Sequence, residues 1–226
     1  MEIDAEKYDR IASTLFAPVY PLIADQIISQ TGVTRGICLD VGCGGGYLGA
    51  ELARTTELFV RFFDRSSEML AIACRTIAQN GLRDRADTLR GDVTAIDLPD
   101  SSVNLVVSRG SVFSWEDLTK AFREIHRVLA PDGWAYIGGG FGSRKLKESI
   151  EREMSSRNQG SDQFRNKVRR NLGAETITRF ETALQAAGIV SFSILHNDDI
   201  GLWLVMRKFV HPGIIPSNRA SNTQGG

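Results

Sequence analysis

The sequence predicts an α/β fold, a three-layer α/β/α sandwich in which helices cover both faces of a mostly parallel sheet. Apolar runs of strand length alternate with helical patterns along the chain, and this order of elements is typical of parallel sheets. The run Val103–Ser108 is almost continuously apolar, as a strand covered on both faces should be. The 226 residues are enough for one such domain with a complete core.

The stretch Leu39–Gly49, LDVGCGGGYLG, joins the first predicted strand to the next helix. Its glycines let a ligand approach the backbone without a Cβ in the way, and they tolerate positive φ. The start of the helix offers N–H groups that have no partner within the helix. A strand, a glycine-rich turn and a helix start are the arrangement that binds nucleotide-like ligands.

Two ligand motifs overlap in this stretch. Gly44, Gly46 and Gly49 have the dinucleotide spacing G-x-G-x-x-G. Asp40 lies two residues before Gly42, the first glycine of a second pattern, D-x-G-x-G-x-G. The second pattern resembles motif I of the class I S-adenosylmethionine (SAM) methyltransferases. A sulfonium ligand with an ammonium group has no pyrophosphate and benefits from a nearby carboxylate, so the other motifs of the chain must distinguish the two ligands.

An acidic residue ends the second predicted strand. The β-rich run 58–63 leads into Asp64, 18 residues after Gly46, and Ser66 is suited to cap the following helix, Glu68–Asn80. Rossmann dehydrogenases and methyltransferases both place a carboxylate here that accepts hydrogen bonds from ribose hydroxyls. We therefore expect Asp64 to bind the ribose of the ligand.

The third predicted strand, Ala86–Arg90, is followed by the tripeptide Gly91-Asp92-Val93. This tripeptide resembles the G-D-[VA] motif of SAM-dependent methyltransferases, whereas a dehydrogenase has no such requirement here. The resemblance implies that Asp92 accepts a hydrogen bond from the adenine amino group and that the backbone N–H of Val93 meets a ring nitrogen. The motif therefore favours SAM over NAD.

The resemblance to class I methyltransferases rests on motifs over residues 36–140 and on element order elsewhere. Leu98–Gly133 is similar to the stretch L-P-F-x-D-x-S-F-D-x-V…E-x-x-R-V-L-x-P-G-G of small-molecule methyltransferases. Asn104 stands where that pattern has Asp, and His126 occupies a variable position that we interpret as helix surface rather than a base. Here we predict a helix, a turn and a strand, at Glu116–Leu129, Ala130–Gly133 and Trp134–Ile137.

The last predicted strands, Val190–Leu195 and Leu202–Met206, complete a set of seven. The resemblance implies that they form an antiparallel hairpin at one edge, so the sheet is mostly parallel with an antiparallel last strand. Before them come two predicted helices, Arg144–Arg157 and Glu175–Ala187, separated by a polar segment, Asn158–Gly173, that we predict to be a loop.

The resemblance implies SAM as the cofactor and S-adenosyl-L-homocysteine as the product. It assigns cofactor binding to one rim of the sheet, because ligands of open α/β sheets lie beyond the carboxyl ends of the strands. The assigned residues are Asp40, Gly42, Cys43, Gly44, Gly46, Tyr47, Leu48, Asp64, Arg65, Met69, Gly91, Asp92, Val93 and Ser108.

The sequence names no catalytic residue. Methyl transfer from a sulfonium is an in-line displacement with a neutral leaving group, so holding the acceptor atom about 3 Å from the methyl supplies much of the rate. A general base is needed only when the acceptor must first lose a proton. The cysteines have no metal-ligand or iron–sulfur spacing, and Cys38 and Cys74 are predicted to be buried, reduced thiols.

Within the N-terminal segment 1–35, residues 4–30 are predicted to form two helices that precede the sheet and either fold over the ligand as a lid or only pack as a helix pair. Pro18 and Pro21 mark the start of the second helix, and Gly32 is suited to end it. The aromatic candidates that would close on the substrate are Tyr8, Phe16 and Tyr20.

The acceptor pocket is expected over strands four and five, beneath the lid. An arginine on the glycine-flanked loop after strand four could bind a carboxylate or phosphate bidentately, and a salt bridge with a local acid is the alternative for Arg109. The basic stretch Arg165–Arg170 is either a further anion-binding element or a solvated loop. The candidate acceptor residues are Tyr20, Arg109, Trp115, Phe141 and Arg144.

We divide the chain into the lid (1–35), a SAM-dependent methyltransferase domain (36–208) and a tail (209–226) predicted to be disordered from its polar composition. Positive and negative charges balance at 27 each, which gives no general attraction to nucleic acids or acidic membranes. No apolar run approaches the length of a membrane span, and the acidic N-terminus lacks a signal-peptide core. We therefore expect a cytoplasmic protein.

The leading hypothesis is a SAM-dependent methyltransferase acting on a small molecule that carries an anionic group. The loop Ser108–Ser111 lacks the N/D-P-P-Y/F sequence of N6-adenine and many amide-nitrogen methyltransferases. Three alternatives stay open. They are a methyltransferase of a protein or RNA, an NAD-dependent oxidoreductase, which the Gly44, Gly46 and Gly49 spacing supports, and a SAM-binding protein without catalysis.

Overall fold

The structure is a computed structural model that describes residues 5–157 and 162–209. Its strands are β1 Arg35–Val41, β2 Glu57–Asp64, β3 Ala86–Arg90, β4 Val103–Arg109, β5 Leu129–Gly139, β6 Phe192–Asn197 and β7 Gly201–Arg207. They form one sheet in the order β3-β2-β1-β4-β5-β7-β6. β7 runs antiparallel to both neighbours, and the adjacent pairs β1–β2, β1–β4, β2–β3 and β4–β5 are parallel. The predicted fold class is confirmed; the predicted tail lies outside the described residues beyond Phe209.

Eight helices are found in the described part of the chain, together with a short 3₁₀ turn. They are α1 Ala5–Thr14, α2 Val19–Thr31, α3 Tyr47–Thr55, α4 Ser67–Gln79, α5 Leu118–Val128, α6 Arg144–Arg157, α7 Gln163–Asn171 and α8 Ala174–Ala187, and the 3₁₀ turn is Ser111–Ser114. Two predicted helix ends are confirmed. Ser66 caps α4 by accepting a hydrogen bond from the Met69 N–H at 3.2 Å, and Gly32 ends α2 in the left-handed region with φ 68°.

Two apolar layers hold the helices against the sheet. Successive strand residues face opposite layers: Cys38 belongs to the apolar layer that includes α2, α3, α4, α6 and α7, whereas Leu39 belongs to the layer that includes α5 and α8. In β4, Leu105 and Val106 divide in the same way between the two layers. This alternation explains why consecutive residues in the middle of these strands are apolar.

The predicted loop Asn158–Gly173 is wrong over residues 163–171, which form helix α7, and its residues 158–161 lie outside the described residues. The segment is polar, but Phe164, Val168 and Leu172 recur every four residues, and all three contact the core. That spacing places them on one face of a helix. The basic residues of the same segment therefore project from an ordered helix.

Other boundaries also differ from the predictions. Helix α5 begins at Leu118, two residues later than expected, because the Asp117 carboxylate accepts from the Lys120 N–H at 2.9 Å and caps it. The predicted turn Ala130–Gly133 is part of β5, where Asp132 has φ 61° and interrupts the regular pairing with β4. The register of β5 therefore shifts without ending the strand.

The burial of the cysteines was predicted correctly at one position and wrongly at another. Cys38 is buried in β1, whereas Cys74 is exposed on α4. The apolar face of α4 is formed by Ile72, Ala73 and Ile77, and a side chain at position 74 lies off that face. Its thiol lies 3.7 Å from the Thr88 hydroxyl.

No single helix among the described residues is long and apolar enough to cross a membrane. Helices α1 and α2 have the length and apolar composition of a membrane span only when they are taken together, and the chain bends by 73° between them.

Asn104 fixes the pairing of β1 with β4, and its amide should stabilise the fold. Its Oδ1 accepts a hydrogen bond from the Ile37 N–H at 2.9 Å. We expect Asn104→Ala to lower the free energy of unfolding by about 1–2 kcal/mol, because the Ile37 donor loses its partner. Asn104→Asp, which keeps an acceptor oxygen, should stay within about 0.5 kcal/mol of the unsubstituted chain. Urea unfolding measures both, and equal stabilities of the Ala and Asp variants would contradict this role.

Candidate functional site

The carboxyl ends of β1, β2 and β3 bring the three predicted ligand loops together. The Gly44 N–H donates to Asp64 Oδ2 at 3.0 Å, and the Gly91 N–H donates to the Asp64 carbonyl at 3.2 Å. Asp64 therefore joins the glycine-rich turn on one side to the Gly91-Asp92 turn on the other.

The glycine-rich turn folds tightly against the end of β2. The N–H groups of Gly42 and Cys43 both donate to the Phe63 carbonyl, at 2.7 and 3.1 Å. Gly46 has φ 80°, and a Cβ there would lie 2.7 Å from the ring of Phe62. Only glycine meets both requirements at position 46, so the turn can lie flat on this ring before α3 begins.

Asp40 caps helix α3 from inside the protein. The residue is 2% exposed, and Oδ2 accepts from the Gly49 N–H at 3.0 Å. Gly46, the residue at the N-cap position, has no side chain that could accept this bond. Burial raises the pKa of the Asp40 carboxyl to about 7, the Gly49 N–H opposes this shift, and the nearby Asp64 adds to it. Asp40 can therefore gain or lose its proton near neutral pH.

Asp64 and Asp92 keep free acceptor positions at the rim. The Asp64 oxygens accept from the N–H groups of Gly44 and Ser66, each at 3.0 Å, and each oxygen has a second lone pair. In Asp92, Oδ1 accepts from the N–H and hydroxyl of Thr94. These two bonds, the hydroxyl first, hold the pKa of Asp92 below its usual range. Within the described chain no protein group bonds to Asp92 Oδ2, so this oxygen is available to a ligand donor.

The remaining predicted cofactor residues divide by burial. Leu48 and Met69 are buried, Cys43, Tyr47, Gly91 and Val93 are partly buried, and Arg65 is exposed. Burial raises the pKa of the Cys43 thiol, so this side chain stays a protonated thiol.

Ser108 binds Ser111, a residue that the sequence reasoning missed. Their hydroxyls are 2.7 Å apart, and the Ser111 hydroxyl also donates to the Val41 carbonyl at 3.0 Å. A Cβ on Gly42 would lie 2.3 Å from the Ser111 side chain. The 3₁₀ turn after β4 is therefore packed directly against the start of the glycine-rich turn. No sequence motif marks a serine for this contact.

Helix α1 lies over the glycine-rich turn. The Tyr47 hydroxyl donates to Asp9 Oδ1 at 2.6 Å, and the ring of Tyr8 lies 3.6 Å from the position of a Cβ on Gly44. Tyr20 of α2 packs on Tyr47 with ring centroids 5.4 Å apart. Two of the three aromatic residues predicted in the lid therefore approach the turn, and Asp9 is a contact that the sequence did not predict.

Arg109 is held between aromatic rings and a backbone carbonyl. Its guanidinium lies 5.1 Å from the ring centroid of Phe16 and 5.5 Å from that of Tyr20. Its Nε and Nη2 both donate to the Gly140 carbonyl, at 3.2 and 3.0 Å. No carboxylate of the described residues forms an ion pair with it, so the predicted alternative, a local salt bridge, is not found there. Burial lowers its pKa, but a guanidinium remains charged at neutral pH.

The other acceptor candidates are separated by the fold. Phe141 is buried and stacks on Phe16, with ring centroids 6.0 Å apart. Trp115 packs edge-on against Phe122 in the apolar layer of α5 and α8. Arg144 is exposed at the start of α6 and lies near the carboxylates that follow β6. Phe141 therefore belongs to the surroundings of Arg109, and Trp115 and Arg144 lie elsewhere.

Comparison with known proteins agrees with this arrangement. Residues 38–133 match the family described as a methyltransferase domain. The uncharacterized methyltransferase YdaC of Bacillus subtilis is 33% identical over 129 residues, which cover 56% of this chain and 69% of YdaC. A crystal structure from Methanococcus maripaludis, of a protein proposed to be a SAM-dependent methyltransferase, is 42% identical with a TM-score of 0.87 and covers 93% of this chain and 94% of its own. This chain belongs to the class I SAM-dependent methyltransferases.

The methyltransferase family assignment replaces the NAD-dependent alternative, since the cofactor of this family is SAM. Sterol 24-C-methyltransferase erg6 of Aspergillus fumigatus is 27% identical over 197 residues, which cover 81% of this chain but 48% of that protein. The methyltransferase described here thus spans about half the length of this relative.

The position of Asp64 in this methyltransferase predicts a large effect on cofactor affinity. We expect Asp64→Ala to weaken SAM binding more than tenfold, because ribose hydroxyls would lose a partly buried pair of acceptors. Asp84→Ala removes an exposed carboxylate just before β3, at the amino ends of the strands and away from the ligand loops. It is the matched control and should leave affinity unchanged. Isothermal titration measures both. Unchanged affinity in Asp64→Ala would contradict the assignment.

The raised pKa of Asp40 predicts pH-dependent cofactor affinity. Below pH 7 this carboxyl is mostly protonated in the folded protein, and a cationic ligand nearby favours its ionised form. SAM should therefore bind more tightly as the pH rises from 5.5 to 7.5, by about three- to tenfold, and Asp40→Asn should remove most of this dependence. Titrations at three pH values measure it, and parallel pH profiles for the two proteins would exclude Asp40 as the cause.

Proposed function

We propose that this methyltransferase transfers a methyl group from SAM to a small molecule that carries an anionic group. The supporting observation is Arg109, a cation that is partly buried between two aromatic rings and has no acidic partner in the described chain. A charge removed from water is costly unless it is paired. Its Nη1 group donates to no described residue. The guanidinium can therefore still offer a planar donor pair to a carboxylate or phosphate.

The residues at the strand ends fit a bound SAM. We propose that Asp64 accepts from the ribose, that Asp92 Oδ2 accepts from the adenine amino group, and that Asp40 lies near the cationic end. The glycine-rich turn and the first amides of α3 would cover the remainder. The bound cofactor would supply an activated methyl group on a sulfonium whose leaving group is a neutral thioether.

The side chains around Arg109 favour an acceptor that needs no general base. Burial raises the pKa of Tyr20 above its usual range, and burial raises that of Tyr47 to about 12. Both hydroxyls therefore stay protonated near neutral pH and act as donors. We propose that the acceptor atom is already nucleophilic when it binds, and that the protein contributes by orientation and exclusion of water.

The lid would complete the acceptor pocket. Phe16, between α1 and α2, and Tyr20 of α2 lie against the Arg109 guanidinium, and Phe141, which follows β5, stacks on Phe16. Such surfaces bind the apolar body of a small molecule while one polar group fixes its orientation. The sterol 24-C-methyltransferase relative, whose name specifies a small-molecule acceptor, supports this size class. The cytoplasmic location stays a prediction.

Fractionated cell extract tests the chemical class of the acceptor. The protein is incubated with SAM carrying a labelled methyl group, and extract is divided by ultrafiltration and then by anion exchange. We expect label in low-molecular-mass molecules that the anion exchanger retains. Label confined to the macromolecular fraction would support a protein or RNA acceptor instead, and label confined to the unretained small molecules would contradict an anionic acceptor.

Substitution of Arg109 tests its role once that acceptor is purified. We expect Arg109→Ala to raise the acceptor KM at least tenfold and to change SAM affinity less than twofold, because the lost contact is with the acceptor. Arg109→Lys keeps the charge but loses the planar donor pair, so its acceptor KM should fall between those of the unsubstituted protein and Arg109→Ala. A collapse of SAM affinity in Arg109→Ala would assign this residue to the cofactor site.

A further inference from the structure

A second cleft lies beside the Arg109 site, between helices α6 and α7 and the β6–β7 turn. It encloses about 400 Å³, which is within the range of small-molecule sites. Phe141 lines this cleft, and the preceding residue, Gly140, accepts both hydrogen bonds from Arg109. We call it the distal cleft. It adjoins the proposed acceptor site across residues 140–141.

The inner part of the distal cleft is apolar. Phe141 and Val168 are buried, and Leu172 packs against the same core. Phe164, one turn before Val168 on α7, contacts the rings of both Phe16 and Phe141 at 6.4 Å between centroids. The aromatic contacts around Arg109 therefore reach the cleft at Phe141.

The mouth of the distal cleft carries cations that are only partly neutralised. Lys147 is 3.6 Å from Asp198, and Arg165 is 3.5 Å from Asp162, both long for ion pairs. Arg169 donates to the neutral Asn166 side chain at 2.8 Å, and it has no acidic partner in the described chain. Asp162 and Asn166 do not line the cleft, so the partners of Arg165 and Arg169 lie outside it.

The charge of the lining is positive. Lys147, Arg165 and Arg169 face two carboxylates, Glu151 and Asp198. Asp198 lies near Lys147 and Arg144, and Arg144 also lies near Asp199. An apolar interior beneath cationic side chains is complementary to a molecule with an apolar segment and a negative end.

We propose that the distal cleft binds a second negative group, a carboxylate or phosphate, at the far end of an elongated and partly apolar methyl acceptor. This inference rests on the proposed function, because the near end of the acceptor would lie at Arg109. Arg165 and Arg169 bind the distal anion, and the apolar interior takes the segment between the two charges. The acceptor is then long enough to reach from Arg109, past Phe141, to helix α7.

Octanoate tests this site, since it combines an apolar chain with one carboxylate. The full-length protein is titrated with octanoate by isothermal titration. We expect Arg165→Gln/Arg169→Gln to weaken binding at least fivefold. Lys167→Gln/Arg170→Gln removes two positive charges from the same helix but outside the cleft, and it should change affinity less than twofold. Equal weakening by both pairs would overturn the proposal in favour of a general charge effect.

A substitution that is expected to raise affinity provides a second test, because a misfolded variant would not bind octanoate more tightly. Asp198→Asn removes a carboxylate from the mouth and frees its cationic neighbours, so octanoate should bind at least twofold tighter. Octyltrimethylammonium, which has the same chain with a positive end, should bind at least fivefold more weakly than octanoate. Equal affinity for the two probes, or unchanged affinity in Asp198→Asn, would overturn the anion assignment.

Arg109→Ala separates this inference from the proposed function. If octanoate binding is lost in Arg109→Ala and kept in the Arg165/Arg169 pair, the carboxylate lies at Arg109 and the distal site is overturned, while the proposed function survives. If the pair alone weakens octanoate binding, the distal site is supported. SAM affinity and labelled-methyl transfer, measured on the same proteins, report on the proposed function independently.

Discussion

The parallel register of β1, β2 and β3 is the constraint on which the site depends. Val41 pairs with Phe63, and Asp64 pairs with Arg90, so the three strands end at one level. Their backbones then turn away within reach of one another, and the Gly44–Asp64 hydrogen bond closes the contact at 3.0 Å. A shift of one residue would turn every side chain of a strand to the opposite face, which would remove both the apolar layers and the carboxylates from their places.

Two ionisable side chains, those of Asp40 and Arg109, are largely shielded from water, and both lie at the rim of the sheet. Asp40 is buried beneath the glycine-rich turn, and Arg109 lies between Phe16 and Tyr20. Each is anchored by backbone, Asp40 by an N–H and Arg109 by the Gly140 carbonyl, and such bonds orient a charge without neutralising it. Burial of the apolar layers offsets the free-energy cost of removing these two groups from water. A bound ligand of opposite charge would lower that cost.

The N-terminal helices and the helices between β5 and α8 form the part of the structure to which we assign the acceptor. Helices α1 and α2 come before the first strand, and α6 and α7 lie between β5 and α8. They meet through Phe16, Phe141 and Phe164, whose rings contact one another in pairs. In the proposed function, the strand ends would bind mainly the cofactor and these segments mainly the acceptor. Helix α1 also contacts the glycine-rich turn through Tyr8 and Asp9, so the two regions are joined there.

The sequence by itself determined the sheet, the glycine-rich turn and the acids at positions 64 and 92, because strand periodicity and short motifs are local properties of the chain. It did not reveal α7, where four-residue apolar spacing is hidden in a basic segment, nor the contacts of Asp9 and Ser111, which bind groups far away in sequence. Trp115 and Arg109 looked alike as pocket candidates on one loop. Only the tertiary structure separated them, because packing on one face of the sheet or the other is decided by which helices cover each face.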